Sequence, residues 1–400
     1  MERLQGHFEG LQNHPFTDIQ LSDKEKFHTG MLKLLLDVFK SLELEHGLWE
    51  VNSKDYSNFE YVLEKNSIDL YAKEGGEETI VESKFKSGLH LSKVNGERVS
   101  QLAKYVKSRP EAKNGVVVSL FPEPERDLQV EEWLLKLKVE SEIKEFKNIQ
   151  FTESVHTRLD ELLSLLESDK NFKGKIEPKD AEKISLLKLW NSYLCHLKKL
   201  VDYFEEHGED LCGIDQPDIF KVNLERIKLK GIFERQRMIQ VQKKVNDSIE
   251  NEEISLLESL KKENDHGSIG IIDNTHGNAL IHIAIPSVVE NEILLDFGLQ
   301  WQNNSLKFFI QRKNGNTKDD FQYSREKVLK KWGKKLKQVV DPKAKPEIKN
   351  PSSGKFASVS IMKPKVFGSI ESFPETLVLG LKFLLENREE IVKELDGQVS

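Results

Sequence analysis

Four hundred residues, 38% of them hydrophobic and 32% charged, suffice for two or three domains with cores of ordinary size. A net charge of −7 excludes a uniformly basic nucleic-acid coat, though not a local basic patch. No window is apolar enough to span a bilayer, the first residues lack the apolar core of a secretory signal, and Cys195 and Cys212 read as reduced thiols of a cytoplasmic protein.

Residues 22 to 42 have the pattern of a helix. Ser22 followed by Glu25 forms a capping box, and Phe27, Met31, Leu34, Leu35, Val38 and Leu42 recur at helical spacing. Glu25 and His28 stand at i and i+3 on one flank of that stripe, as a capping acid with a core-edge histidine or as site residues. Leu48-Trp49-Glu50-Val51 and Tyr61-Val62-Leu63 read as sheet or edge segments.

Ser67 to Phe85 reads as a β-hairpin. Ile68-Asp69-Leu70-Tyr71 and Thr79-Ile80-Val81-Glu82-Ser83-Lys84-Phe85 flank Gly75-Gly76, a two-residue turn signal. A turn at that pair sets partner numbers to a sum of 151, which places Asp69 opposite Glu82. Facing carboxylates on adjacent strands repel, and a divalent cation between them reverses the sign. Alternation sends Glu82 and Lys84 to one face and Val81, Ser83 and Phe85 to the other. Two carboxylates and one ammonium on one spot make a candidate metal site.

Gly88 to Gly96 is polar and loop-like, and a helix from Glu97 to Ser108 follows, closed off by Pro110. Gln101 and Tyr105 lie on one flank of it. Gly115 to Phe121 reads as a buried strand. A helix near Glu131 to Leu137, a strand at Ile149-Gln150-Phe151 and a helix from Thr157 to Leu166 complete an α/β/α layer. Ser168 to Pro178 has linker composition. Beyond it come helices over 181–206 and 219–245, an acidic stretch over 246–265, strand-like runs at 268–272, 279–285 and 306–310, and helices over 324–340 and 374–395. His276 reads as a turn residue. The expected domains are 1–167, a helical region 168–266 and an α+β region 267–400.

Residues 325 to 349 hold ten basic and three acidic side chains, so this segment carries +7 and the remainder −14. Lys330, Lys331, Lys334 and Lys335 surround Trp332, a combination that binds phosphates and stacks on bases, or simply keeps a helix soluble.

Asp69 with Glu82-Ser83-Lys84, Gln101-Leu102-Ala103-Lys104-Tyr105 and Glu25-Lys26-Phe27-His28-Thr29 resemble the motifs of the PD-(D/E)XK nuclease superfamily. The branch in question adds an upstream Glu-x-x-His-Ser/Thr helix. Ile68-Asp69 stands where the family has Pro-Asp, and the likeness covers roughly residues 15 to 165. The resemblance implies an α/β fold with a restriction-endonuclease-like α/β/α core, to which a helical segment and a C-terminal α+β region are added. It implies a metal-dependent endonuclease, with Mg²⁺ or Mn²⁺ held by Asp69, Glu82 and the Ser83 carbonyl. Lys84 would orient water or offset phosphate charge, Glu25 or His28 would supply a ligand or a proton, and Gln101 and Tyr105 would brace the site. The implied partner is nucleic acid, DNA rather than RNA, with a homodimer or a partner protein of an anti-phage defence system beside it and no membrane. Two other readings stand next to this one: a non-catalytic binding or scaffold subunit with a nuclease-like core, and a nuclease gated by its C-terminal region.

Overall fold

The structure, a computed structural model, describes residues 2–21, 24–49, 51, 55–65, 68–85, 91–94, 97–100, 105, 109, 112–121, 145–169, 172, 178–211, 218–233, 236, 271–275, 278–289, 293–302, 305–312, 319–343, 345, 356–362 and 372–395. They fall into two compact units, Met1–Glu206 with Ile219–Ile232 and His207–Asp218 with Phe233–Ser400.

The first unit is built on a five-stranded mixed sheet of β1 (Glu60–Lys65), β2 (Ile68–Glu74), β3 (Glu77–Lys84), β6 (Ala112–Ser119) and β7 (Glu145–Gln150), in that spatial order. β1, β2 and β3 pair antiparallel, while β3, β6 and β7 run parallel. The hairpin turn forms because Gly75 and Gly76 both take positive φ, 59° and 94°, which a two-residue turn between right-twisted strands requires. β6 is a short apolar strand with neighbours on both sides, as its Val116-Val117-Val118 run implies.

Helix α3 (Glu25–Ser41), preceded by α1 (Glu2–Gln12) and the short α2 (Pro15–Asp18), packs on β1 to β3. It starts later than expected. Lys24 is the N-cap and makes no side-chain cap hydrogen bond, while Ser22 lies outside the described residues. Met31, Leu35, Val38 and Leu42 are buried as expected, and Leu32, Leu36 and Phe39 are buried as well, so α3 is covered on more than its sheet side. The second cover is α5 (Pro178–Leu211). Its Leu187, Trp190, Leu194, Leu197, Val201 and Phe204 repeat at helical spacing, each no more than 2% exposed. α5 also lies along α4 (His156–Ser168), through Asn191 to Asp160 at 3.1 Å and Lys188 to Glu167 at 2.7 Å. The helical segment expected to form its own region beyond residue 167 therefore belongs, through Glu206, to the first unit.

Several expectations change. Glu97–Ser100 is β5, paired antiparallel with β4 (Leu91–Val94), where a loop and then a helix were expected. The dipeptide between the paired ends is Asn95-Gly96, a strong hairpin signal that the polar composition obscured. Leu48 and Trp49 are buried without strand pairing. The expected helix near 131–137, the acidic stretch over 246–265 and His276 lie outside the described residues.

The second unit is a five-stranded antiparallel sheet in the order β12 (Phe356–Met362), β11 (Ser305–Arg312), β10 (Ile293–Gln302), β9 (Asn278–Val289), β8 (Ile271–Thr275). Helices α7 (Asp319–Val340), α8 (Ser372–Glu386) and α9 (Arg388–Leu395) share one core with the alternate residues Leu295, Phe297, Leu299 and Trp301 of β10 and their neighbours. The remaining helix, α6 (Asp218–Arg226), belongs from Ile219 onward to the first unit. Among the described residues no helix is long and apolar enough to cross a membrane.

Candidate active site

The hairpin register is the one the Gly-Gly turn dictates: Leu70 pairs with Val81 and Glu74 with Glu77. The paired register ends at Leu70 and Val81; continued by one step it sets Asp69 opposite Glu82, and the charge of Asp69 raises the pKa of Glu82. The Ser83 backbone N–H donates to Asp69 Oδ2 at 3.0 Å and fixes that carboxyl at the strand end. On β3, Glu82 and Lys84 share a face, with Lys84 Nζ 2.5 Å from Glu82 Oε1 and both side chains buried.

Two other residues bear on this face. Tyr105, buried, lies close enough to Glu82 for its hydroxyl to pull that carboxyl's pKa down. Arg109, four residues on, holds its guanidinium 5.1 Å from the ring centre of Tyr71, the partner of Ile80 in the hairpin. Tyr105 and Arg109 therefore both lie on the carboxylate side of the hairpin. Tyr105 was expected there. Arg109 was missed, because it falls past Ser108, where the expected helix ends. Gln101 lies outside the described residues.

His28 sits on the other side of the sheet. Its ring is stacked on Phe85, with centroids 3.6 Å apart and planes 9° from parallel, and Nδ1 accepts from the Trp190 indole N–H at 3.2 Å. The reason is the two-residue period of β3, which turns Phe85 away from the face of Lys84. Glu25, half-buried at the start of α3, reaches the site through its charge, which raises the pKa of Asp69.

Electrostatics set the two carboxyls apart from ordinary surface acids. Burial pushes Glu82 up to about 7, with Lys84 and Tyr105 pulling it down and Asp69 adding to the rise. Burial also raises Asp69, against the Ser83 N–H and Lys84, while Glu25 raises it further. Neither Glu82 oxygen has a well-aligned hydrogen bond, close as the Lys84 ammonium lies.

Glu74, at the other end of the same hairpin, makes the contrast. It is equally buried but has three donors: Tyr61 Oη at 2.7 Å, Trp49 Nε1 at 2.7 Å and His46 Nε2 at 3.0 Å. The Leu48 N–H donates to His46 Nδ1, so the His46 proton sits on Nε2 and points at Glu74. Arg158 holds the turn below it by donating to the carbonyls of Glu45 and His46. Gly47 takes φ +61°, where any other residue is strained, and a Cβ there would meet the guanidinium at 2.6 Å and push it aside. Glu74 is a satisfied structural carboxylate. Glu82 is not satisfied in that way.

The donor set suits a hard divalent cation: two carboxylates that a cation would bring together. Among the described residues no three His, Cys, Asp or Glu side chains cluster as a complete metal site. Two carboxylates match an ion that keeps several of its waters. No protein-family model, curated protein or solved structure matches this chain.

Proposed function

We propose that the first unit is a metal-dependent endonuclease that hydrolyses phosphodiester bonds of nucleic acid, DNA by preference. The observation that carries this reading is the juxtaposition of Asp69, Glu82 and Lys84 on one hairpin face, with a raised pKa at Glu82 and a cation-hungry pair of carboxylates. The order of elements supports it too: a helix bearing Glu25, a hairpin bearing the acidic pair and lysine, and then the segment of Tyr105.

Asp69, Glu82 and the Ser83 carbonyl would hold Mg²⁺ or Mn²⁺. Bound there, the ion supplies Lewis acidity and a water of lowered pKa. Asp69 is oriented by the Ser83 N–H, while Tyr105 stands beside Glu82 and pulls its pKa down, so Asp69 is positioned before any cation arrives. Lys84 presents its ammonium on the same face. There it offsets the charge that builds on the phosphate oxygens as water adds to phosphorus and the P–O bond to the leaving oxygen breaks. Glu25 adds negative charge beside Asp69 and favours a cation. Gln101 is assigned to bracing the nucleic-acid backbone. His28 is assigned a positioning role through Phe85 and takes no proton in the reaction.

The test is cleavage of single- and double-stranded DNA and RNA with Mg²⁺ or Mn²⁺. Wild type cleaves, and Lys84→Ala loses at least a hundredfold in turnover while binding nucleic acid as wild type does. Absence of cleavage by wild type on all four substrates would leave a non-catalytic scaffold as the reading.

A further inference from the structure

The solvent side of α7 is almost entirely lysine. At 100° per residue, Lys337, Lys330, Lys334, Lys327, Lys331 and Lys335 follow one another around about 160° of the helix. The opposite side carries Arg325, Val328, Leu329, Trp332, Leu336 and Val340, all buried in the unit's core. The lysines, which in the bare sequence look scattered over several faces, thus occupy one continuous arc once the buried side is known. Glu326 is the sole acid between residues 325 and 340, and it lies at the edge of the arc.

The members of this arc are not equivalent. Lys331 is neutralised by α9, in an ion pair with Glu394 and with Glu390 at 3.8 Å. Lys335 lies 4.0 Å over the Trp332 ring centre. Trp332 itself is fully buried and donates its indole N–H to Glu394 at 3.2 Å, so it holds α7 from beneath and offers no ring for a base to stack on. Lys327, Lys330 and Lys334 are exposed and have no carboxylate partner among the described residues. Like charges at i+3 and i+4 destabilise a helix, and solubility is served better by mixed signs. In a chain of net charge −7, this concentration of one sign calls for a polyanion.

We propose that the solvent face of α7 binds the sugar–phosphate backbone of nucleic acid through Lys327, Lys330, Lys334 and Lys335, without reading bases. Nucleic acid as the polyanion rests on the nuclease reading. The dimensions fit: ten residues of helix span about 15 Å, along which one strand of a duplex presents about four phosphates.

The experiment uses the full chain carrying Glu82→Gln, with chelator and no metal, so that binding is read without turnover. Affinity for a labelled duplex of about 25 base pairs, long enough to span several turns, is measured across a salt series. The Lys327→Gln, Lys330→Gln, Lys334→Gln, Lys335→Gln variant should bind at least tenfold more weakly at moderate salt. The slope of log affinity against log salt should become shallower by about 3 to 4, since each phosphate that a lysine ceases to neutralise removes roughly 0.9. Lys331→Gln should leave affinity within about twofold, as expected of a charge already neutralised. Thermal melts confirm the fold. Should the quadruple variant not fold, Lys330→Gln and Lys334→Gln singly should each remove about one unit of slope.

An unchanged slope in folded variants overturns the proposal. So does weaker binding to anionic lipid vesicles with no loss for duplex, which would make the partner a membrane surface. Wild type that binds with this slope but never cleaves leaves the inference standing and removes the nuclease reading. Normal cleavage with an unaltered slope does the reverse.

Discussion

Lys84 Nζ stands 2.5 Å from Glu82 Oε1, and both groups are buried on one face of β3. Burial wins over that ion pair, since Glu82 is still pushed up to about 7 from an ordinary 4.5. The folded protein therefore holds a proton at Glu82 between about pH 4.5 and 7 that the unfolded chain has released. Without metal, stability is highest below this window and falls as pH rises through it, by about 3 kcal/mol for this one group. Denaturant melts from about pH 4 to 8 in chelator should show the decline, and Glu82→Gln should remove most of it.

A divalent cation must displace that proton. Mg²⁺ or Mn²⁺ should raise the melting temperature through binding linkage, and below about pH 7 its affinity should gain up to tenfold per pH unit. Asp69→Asn combined with Glu82→Gln should abolish the shift and leave the metal-free protein no less stable. Calorimetry in buffers of different ionisation heat reads the released proton directly.

Removing His28 should harm the fold more than the chemistry. His28→Ala deletes a ring stacked on Phe85 and strands the Trp190 N–H, at a cost of about 2–4 kcal/mol. At a temperature where the variant is folded, turnover should stay within about tenfold of wild type. A loss as large as that of Lys84→Ala would make His28 part of the chemistry.

Glu74→Ala tests the division of labour between the two buried carboxylates. It leaves three buried donors without their acceptor and should cost about 3–5 kcal/mol. Where the variant folds, its metal-dependent melting shift should match that of wild type.

Residues 1–167 should not fold alone, because Trp190 and the leucines of α5 complete the core around α3. Each such side chain contributes about 1.5–3 kcal/mol of burial, so their joint loss exceeds the stability of an ordinary domain. A fragment ending at Ile232 should melt cooperatively; circular dichroism and exclusion chromatography of the two fragments compare them.

The hairpin was legible because a Gly-Gly turn fixes register, and register fixes which side chains face each other. β10 carried an equally readable signal, Leu295, Phe297, Leu299 and Trp301 at period two, but Asp296 and Gln300 between them disguised a strand buried on both faces. His28 was ambiguous for a different reason. Its spacing from Glu25 puts both on one helical flank, yet only the packing of α5, more than 150 residues away, shows that this flank faces aromatic rings. Glu74 drew no attention in the sequence, since nothing local announces that Tyr61, Trp49 and His46 converge on it. Interactions over long sequence separations are the part that a single sequence does not display.

The central claim is that Asp69 and Glu82 share a divalent cation, and anomalous diffraction from crystals soaked in Mn²⁺ tests it most directly. The account predicts a peak between the two carboxyls within bonding distance of both, absent in the Asp69→Asn, Glu82→Gln variant. A wild-type crystal soaked at a Mn²⁺ concentration that raises the melting temperature, with no peak there and Lys84 still paired to Glu82, would contradict it.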